Sequence, residues 1–591
     1  MAGCKIHILS GLTHRNVPLN SNGIFFFCSR KLSRAEIRVI RSTGLKRYYL
    51  KPLSAGQEQK FFSAFGELWE KVVKGKGADD PFWRNGVSSK MQEWENSAGY
   101  LAVTLFALSQ DPLLAKTELI VLPDSVEEAS VWRAWGLAHD WTVVSYTFGL
   151  WQGIRQELEN GMRALRLAGL FLRKKWRARP RTFQIRPGAF LVVTLFYRRV
   201  FDRQEYEDLF FGDLRKENAR SERDIFYLGD AIDGLESGDQ KRMGKESWPV
   251  SIYSLLSWPD MFAGLSSVLM GRPRFVGCSF AGVDFSAVLT WHARRSRYDH
   301  NLTAEFFYRA VRRACQRCRF DKMLFAFEGN AYERAVIQAF RRMGHGVIDA
   351  YSHAVIYPLN LKLYLSVSEI ARAPQPDRYL VCGSWVRDAF MRVRRVQVPV
   401  ISVCSLRAIP RTIERAVTQK EEILVVLDGV WSTVHLVNWL YENRNIFTKY
   451  KVFIRPHPNV NGPRLFSQCP QYQEGVFAIS NRSLQEDLRQ AACVLYRQSS
   501  VGVTALMNAV PVIHLRIDLP LSGDPLEGLE AGKLCVEDAE GLRQALLRIP
   551  DLQAQLNDDQ GKAIDIARHY FDASSSELIR PFLEIFPLAR S

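Results

Sequence analysis

No acidic residue occurs between Glu159 and Asp202, no DxD motif is followed by a spaced histidine, and no apolar run approaches the length of a membrane span. The stretch AFLVVTLFY is half of the ~18 residues a spanning helix needs and ends in Arg198-Arg199. The opening MAGCKIHILSGLTHRNVPLN lacks a basic segment leading into a long apolar one, so no secretory signal is read there and the cytoplasm is the expected compartment. Ten cysteines over 591 residues fit reduced core thiols better than a disulfide framework. Cys315 and Cys318 have CxxC spacing without a second CxxC or an HxxxH, which favours two thiols one helical turn apart over zinc.

Apolar residues make up 47% and charged residues 24%, a folded and not a disordered profile. The chain is too long for one core, so two or three domains are expected. Its formal charge of +17 is concentrated in the stretch without acids, which holds Arg163, Arg166, Arg173, Lys174, Lys175, Arg177, Arg179, Arg181, Arg186, Arg198 and Arg199. Such a block attracts polyanions. Leu165, Leu170, Phe171 and Trp176 are interleaved with the cations, as on a helix lying along an anionic membrane surface. A solvated helix with a structural apolar side is the other reading. Nucleic acid is set aside because no groove-reading or base-stacking module accompanies the charge. Pro180 and Pro187 also mark the stretch as a connector.

Short apolar runs alternate with helical segments along the whole chain. GIFFFC, LKRYYL, TELIVLP and WTVVSYTF precede the basic block; AFLVVTLF, DIFYLG, RFVGCSF, KMLFAFEG, HGVIDAYS and DRYLVCGS follow it; EEILVVLDG, YKVFIRPHP, GVFAIS, ACVLYRQSS and VPVIHL form a third set. This spacing predicts βαβ units and parallel sheets. The expected organisation is an N-terminal α/β region over 1–178 of unassigned role, then two Rossmann-like lobes over 179–410 and 411–591, divided near CSLRAIPRTIERAVTQK.

In KVFIRPHPNV a strand runs into His457 held between Pro456 and Pro458, each restricting the backbone. Ligands of doubly wound sheets bind beyond strand carboxyl ends. Further on, ACVLY ends in Arg497-Gln498-Ser499-Ser500 before the helical VGVTALMNA, so Ser499 or Ser500 is positioned to cap it and Gly502 to keep its first turn slim. Unpaired amides and the positive dipole end make such a terminus an anion seat. His457, Ser499 and Ser500 are expected to grip one phosphate from two sides, with Arg455 or Arg497 supplying charge. An ordinary α/β sheet with caps is the alternative.

RPHP followed by YRQSSVGVTALMNAVPVIHL resembles the nucleotide-binding half of GT-B glycosyltransferases that build bacterial surface polysaccharides. It is most similar to the His-Pro and Ser-Ser motifs of transferases using CMP-activated acidic sugars, such as capsule Kdo transferases and polysialyltransferases; teichoic acid glycerophosphotransferases look similar here too. FEGNAYERAVIQAFRRMGHGVIDAYSHAVI and PDRYLVCGSWVRDAF look like the N-lobe of surface carbohydrate biosynthesis proteins. The likeness runs over about residues 190 to 575, and 1–178 match no named family. It implies a GT-B-like α/β fold, a nucleotide-sugar co-substrate (CMP-linked Kdo or nonulosonic acid preferred), a lipid-linked or polysaccharide acceptor, and nucleotide-phosphate contacts for His457, Ser499 and Ser500.

A transferase of this kind also needs a group that activates the acceptor hydroxyl. Glu328 is the leading candidate, because KMLFAFEGN places it at a strand's carboxyl end before a helix; a carboxylate merely stabilised by the helix dipole is the plain alternative. Glu333 reads as an ion-pair partner. Asp284 and His353 are further candidates for the same cleft, each also readable as a loop-closing residue. Asp428-Gly429 is expected to form a tight turn under the donor, and His514 to reach the nucleotide or sit in the core. No cofactor or metal is expected: the missing DxD-type motif fits a metal-free site, with helix amides stabilising the departing phosphate. The expected function is a cytoplasmic, membrane-peripheral glycosyltransferase. A glycerophosphotransferase, a nucleotide-sugar epimerase and a non-catalytic export scaffold remain open alternatives.

Overall fold

The βαβ rhythm folds into three all-parallel sheets in the computed structural model. Residues 5–9, 24–28, 32–90, 98–145, 150–178, 185–196, 206–212, 214, 224–231, 249–271, 273–296, 300–406, 421–430, 432–458, 460–558, 562–573 and 575–585 are described. The first sheet holds β1 (Lys5–Ile8), β2 (Ile24–Cys28), β3 (Lys46–Arg47), β4 (Glu118–Leu122) and β5 (Thr142–Ser145) in the order β3-β2-β4-β1-β5.

The middle sheet is built from β6 (Ala189–Phe196), β7 (Ile225–Ala231), β8 (Val250–Ser251), β11 (Phe320–Ala326), β12 (Val347–Ser352), β13 (Arg378–Val381) and β14 (Val400–Ser402), ordered β14-β13-β12-β11-β6-β7-β8. The last comprises β15 (Glu422–Val426), β16 (Lys451–Arg455), β17 (Ala478–Ile479), β18 (Ala491–Tyr496), β19 (Val512–Leu515) and β20 (Lys533–Val536), ordered β17-β16-β15-β18-β19-β20. Both sheets reverse direction beside their first strand, between β6 and β11 and between β15 and β18. This is the doubly wound Rossmann arrangement, and the reversal opens a crevice at the strand carboxyl ends. The chain therefore has two Rossmann-like lobes with an additional N-terminal α/β region.

Central strands such as β18 are buried at every position, which is why they read as continuous apolar runs. RFVGCSF departs from expectation. Only Ser279–Phe280 is extended, as β9, pairing antiparallel with β10 (Val283–Asp284) outside the middle sheet. Phe280 and Phe285 instead enter the core of the N-terminal region, where Phe280 stacks on Trp135 at 5.7 Å. Burial of those rings overrides the local strand signal.

Two ties fix the parts together. Lys322, on β11, is fully buried and donates from Nζ to the carbonyls of Pro581 and Phe582, so the C-terminal helix Ser576–Leu583 returns under the middle sheet. The N-terminal region touches both lobes: Arg47 forms a buried pair with Asp518 at 3.1 Å, Leu53 N donates to Pro520 O, and Arg334 Nη1 donates to Ser88 O. Arg179, Arg181, Arg198, Arg199 and 407–420, where the lobe division was expected, lie outside the described residues.

Candidate active site

Register decides what meets at the last sheet's crevice. Val426 of β15 is level with Arg455 of β16 and with Tyr496 of β18, so two residues further on Asp428, His457 and Gln498 stand at one height. His457 and Ser499 flank β15 from either side, their strands about 10 Å apart at two inter-strand spacings. The imidazole narrows that gap by leaning over Gly429: a Cβ there would lie 3.0 Å from His457 Nδ1. A larger residue there would push the ring away by a few tenths of an ångström.

Ser499 caps the helix Ser500–Met507, its hydroxyl accepting from Val501 N at 3.2 Å. Gly502 lets the helix settle on the Tyr496 ring, 2.9 Å from where a Cβ would be. Arg497 is buried and donates from Nε to Asp428 Oδ2 at 2.9 Å and from Nη2 to Ser432 Oγ at 2.8 Å. Its charge is thus already matched by Asp428. Arg455 is likewise engaged, donating to Asp487 Oδ2 at 2.8 Å and to Arg482 O at 2.7 Å. Neither arginine arrives as a loose cation, so amides, hydroxyls and the imidazole make up the seat. Arg497 Nη1, Asp428 Oδ1 and both amide atoms of Gln498 are buried with no partner among the described residues, and a ligand in the crevice would be one way to satisfy them. His514 proves to be a core residue: Nε2 meets Arg497 O at 2.9 Å, and burial brings its imidazole down to about 4.

The middle lobe repeats the device with opposite chemistry. Ala326 of β11 is level with Tyr351 of β12, so Glu328 and His353 emerge side by side, with His353 Nε2 3.2 Å from Glu328 Oε1. His353 is buried under Phe210, ring centres 4.4 Å apart, whereas the Glu328 carboxylate is 40% exposed. Burial raises the Glu328 carboxyl, but the hydrogen bond and charge of His353, with Lys362 and Asn330, outweigh it and bring the group down to about 2. Glu333 forms no ion pair among the described residues. Its carboxylate accepts from Glu328 N at 3.1 Å and Gly329 N at 2.9 Å, and burial followed by the Glu328 charge pushes it up to about 7. Gly329, at φ +86°, makes the turn that aims Glu328 outward. Asp284 lies on the β9–β10 hairpin, its Oδ1 accepting from Ser286 N at 2.8 Å, and has no described contact with Glu328 or His353.

Tyr357 joins the two halves. Burial raises its phenol; Asp428 and Glu328 raise it further and Arg497 opposes, so one ring feels both crevices. It lies on the segment after β12 whose Leu359 N donates to Ser522 O across the lobes, and it lines a cavity of about 250 Å³ shared by Phe62, Tyr364, Arg392 and Asp524. Sequence reasoning passed over it. The available signal was an aromatic-proline step, Tyr357-Pro358, just beyond a strand end.

No family model and no curated protein matches the chain. Among solved structures it is similar to the glycotransferase of kitacinnamycin, at 14% identity over 68% of this chain and 100% of that one, TM-score 0.40. It is also similar to α,α-trehalose 6-phosphate synthase from Burkholderia multivorans, at 11% identity over 67% of this chain and 95% of that one, TM-score 0.39. A third is UDP-GlcNAc 2-epimerase from Methanocaldococcus jannaschii, at 10% identity over 61% and 92%, TM-score 0.35. The architecture given above rests on the strand orders.

Proposed function

We propose that the chain is a glycosyltransferase that moves a sugar from a nucleotide donor, CMP-linked Kdo or nonulosonic acid by motif resemblance, onto a growing surface glycan. The observation that carries this reading is the register-level meeting of Asp428-Gly429, His457 and Arg497–Ser500 at a sheet's reversal point, with the Tyr357 phenol raised by the charges of both Asp428 and Glu328. The last lobe seats the donor phosphate on the Ser499/Ser500 helix terminus and the His457 imidazole. As the bond to the departing phosphate breaks, these donors take up the growing negative charge. The hydrogen-bonded pair Glu328–His353 takes up the acceptor hydroxyl's proton as that oxygen attacks.

Calorimetric titration with CMP, CDP, UDP and GDP tests it. CMP is expected to bind best, and His457→Ala to weaken binding about tenfold or more, since a hydrogen bond to a charged group is worth roughly 1.5–3 kcal/mol. Silence from every nucleotide, or unchanged affinity in the variant, would sink the reading. Conversion of UDP-sugar without acceptor would reassign the site to epimerisation.

A further inference from the structure

We infer that the helices Leu150–Arg177 and Trp258–Met270 form one face that docks on an anionic lipid bilayer. The inference stands apart from the donor reading, because it concerns a surface outside the crevice. The first helix is apolar on two sides. Its inner side is accounted for: Phe171 is buried, Lys174 pairs with Asp230 at 3.0 Å, and Lys175 donates to Tyr253 O. On its outer side positions 158, 162, 165 and 176 fall within about 60° of one another at 3.6 residues per turn. Leu165 is 76% and Trp176 81% exposed. An ordinary surface helix would carry polar residues there.

The second helix extends the same face. Trp176 meets Trp258 with ring centres 6.4 Å apart, Trp258 meets Phe262 at 6.2 Å, and Phe262 and Met270 are 59% and 75% exposed. Of the 18 large apolar side chains exposed among the described residues, nine lie on these two helices. That concentration exceeds the scatter of single exposed residues on a soluble surface.

Charge selects the occupant. Arg166, Arg173 and Arg177 border the apolar strip and have no carboxylate partner among the described residues. About 20 Å along the second helix, at 1.5 Å per residue, its last turn walls a groove of about 640 Å³ lined by Lys71, Lys74, Arg84 and Arg274. The groove's two acids, Asp80 and Glu305, are matched by Lys76 and Arg84. Exposed indoles with arginines along one side suit the headgroup boundary of a bilayer carrying negative lipids: rings enter the acyl margin and guanidinium groups meet phosphates. A second copy of the chain would bring arginine against arginine.

Sedimentation of the full chain with vesicles tests this. Pelleting is expected with phosphatidylglycerol in phosphatidylcholine and not with phosphatidylcholine alone, and it should weaken as salt is raised. Trp176→Glu with Phe262→Glu should lower affinity at least tenfold. Arg173→Ala and Arg177→Ala should each lower it about fivefold, as expected of one cation near a negative surface. Unchanged far-ultraviolet circular dichroism would show that these exposed substitutions keep the fold. Wild type remaining in the supernatant with both vesicle types, or variants pelleting like wild type, would overturn the inference. A wild-type dimer lost in the Trp176/Phe262 variant without vesicle binding would assign the face to self-association, and RNA binding without vesicle binding would assign it to nucleic acid; either defeats the proposal.

Discussion

The two crevices are built alike and charged oppositely. In the last lobe the strand ends present donors, with Arg497 already balanced by Asp428, and under the proposed function the donor phosphate is held there by amides, hydroxyls and the imidazole. In the middle lobe the strand ends present the anion itself, Glu328, kept ionised by a buried histidine. Under the proposed function one doubly wound geometry serves both as anion receiver and as proton acceptor, and identity at two or three strand-end positions decides which. Tyr357 senses both.

The largest expected effect breaks the receiving side. Arg497→Ala strands the buried Asp428 carboxylate and should cost about 3–5 kcal/mol in denaturant unfolding, together with nucleotide binding. A loss below about 1 kcal/mol would mean that the pair does not organise the seat.

Glu328→Gln sharpens the contrast, because it removes proton acceptance and leaves the opposite crevice untouched. Turnover should fall about 10²–10⁴-fold with nucleotide affinity unchanged. Equal losses in both would erase the division of labour between the lobes.

The smallest effect concerns Glu333, whose carboxyl is raised from the ordinary 4.5 to about 7. A carboxyl raised by folding contributes stability below its unfolded value, and that contribution fades as pH climbs through the folded one. The Glu333 contribution should therefore decline from about pH 4.5 to pH 7, so the stability difference between wild type and Glu333→Gln should change across that window while the glutamine still accepts from the Glu328 and Gly329 amides. Thermal midpoints measured across that window decide it.

Several of these features were legible in the residues alone. The helix cap at Ser499, the slim first turn at Gly502 and the strand-end place of Glu328 are local, set by neighbours within a few positions. The fate of Arg455 was not, since Asp487 lies 32 residues away and takes up its guanidinium. Nor was RFVGCSF, which answers to the N-terminal core and not to its own β propensity. Short strands such as β8 and β14, of two and three residues, carry too little pattern to be seen before their neighbours pair with them.

The sequence by itself determined the parallel α/β plan, the strand ends that carry polar residues, and a basic apolar helix in the stretch without acids. Only the tertiary structure decided which of those ends meet. Parallel pairing sets residues from distant segments at one height: His457 against Gly429, Arg497 against Asp428, His353 against Glu328. A chain's local preferences select the elements, but register and burial are settled by whichever packing satisfies every strand at once.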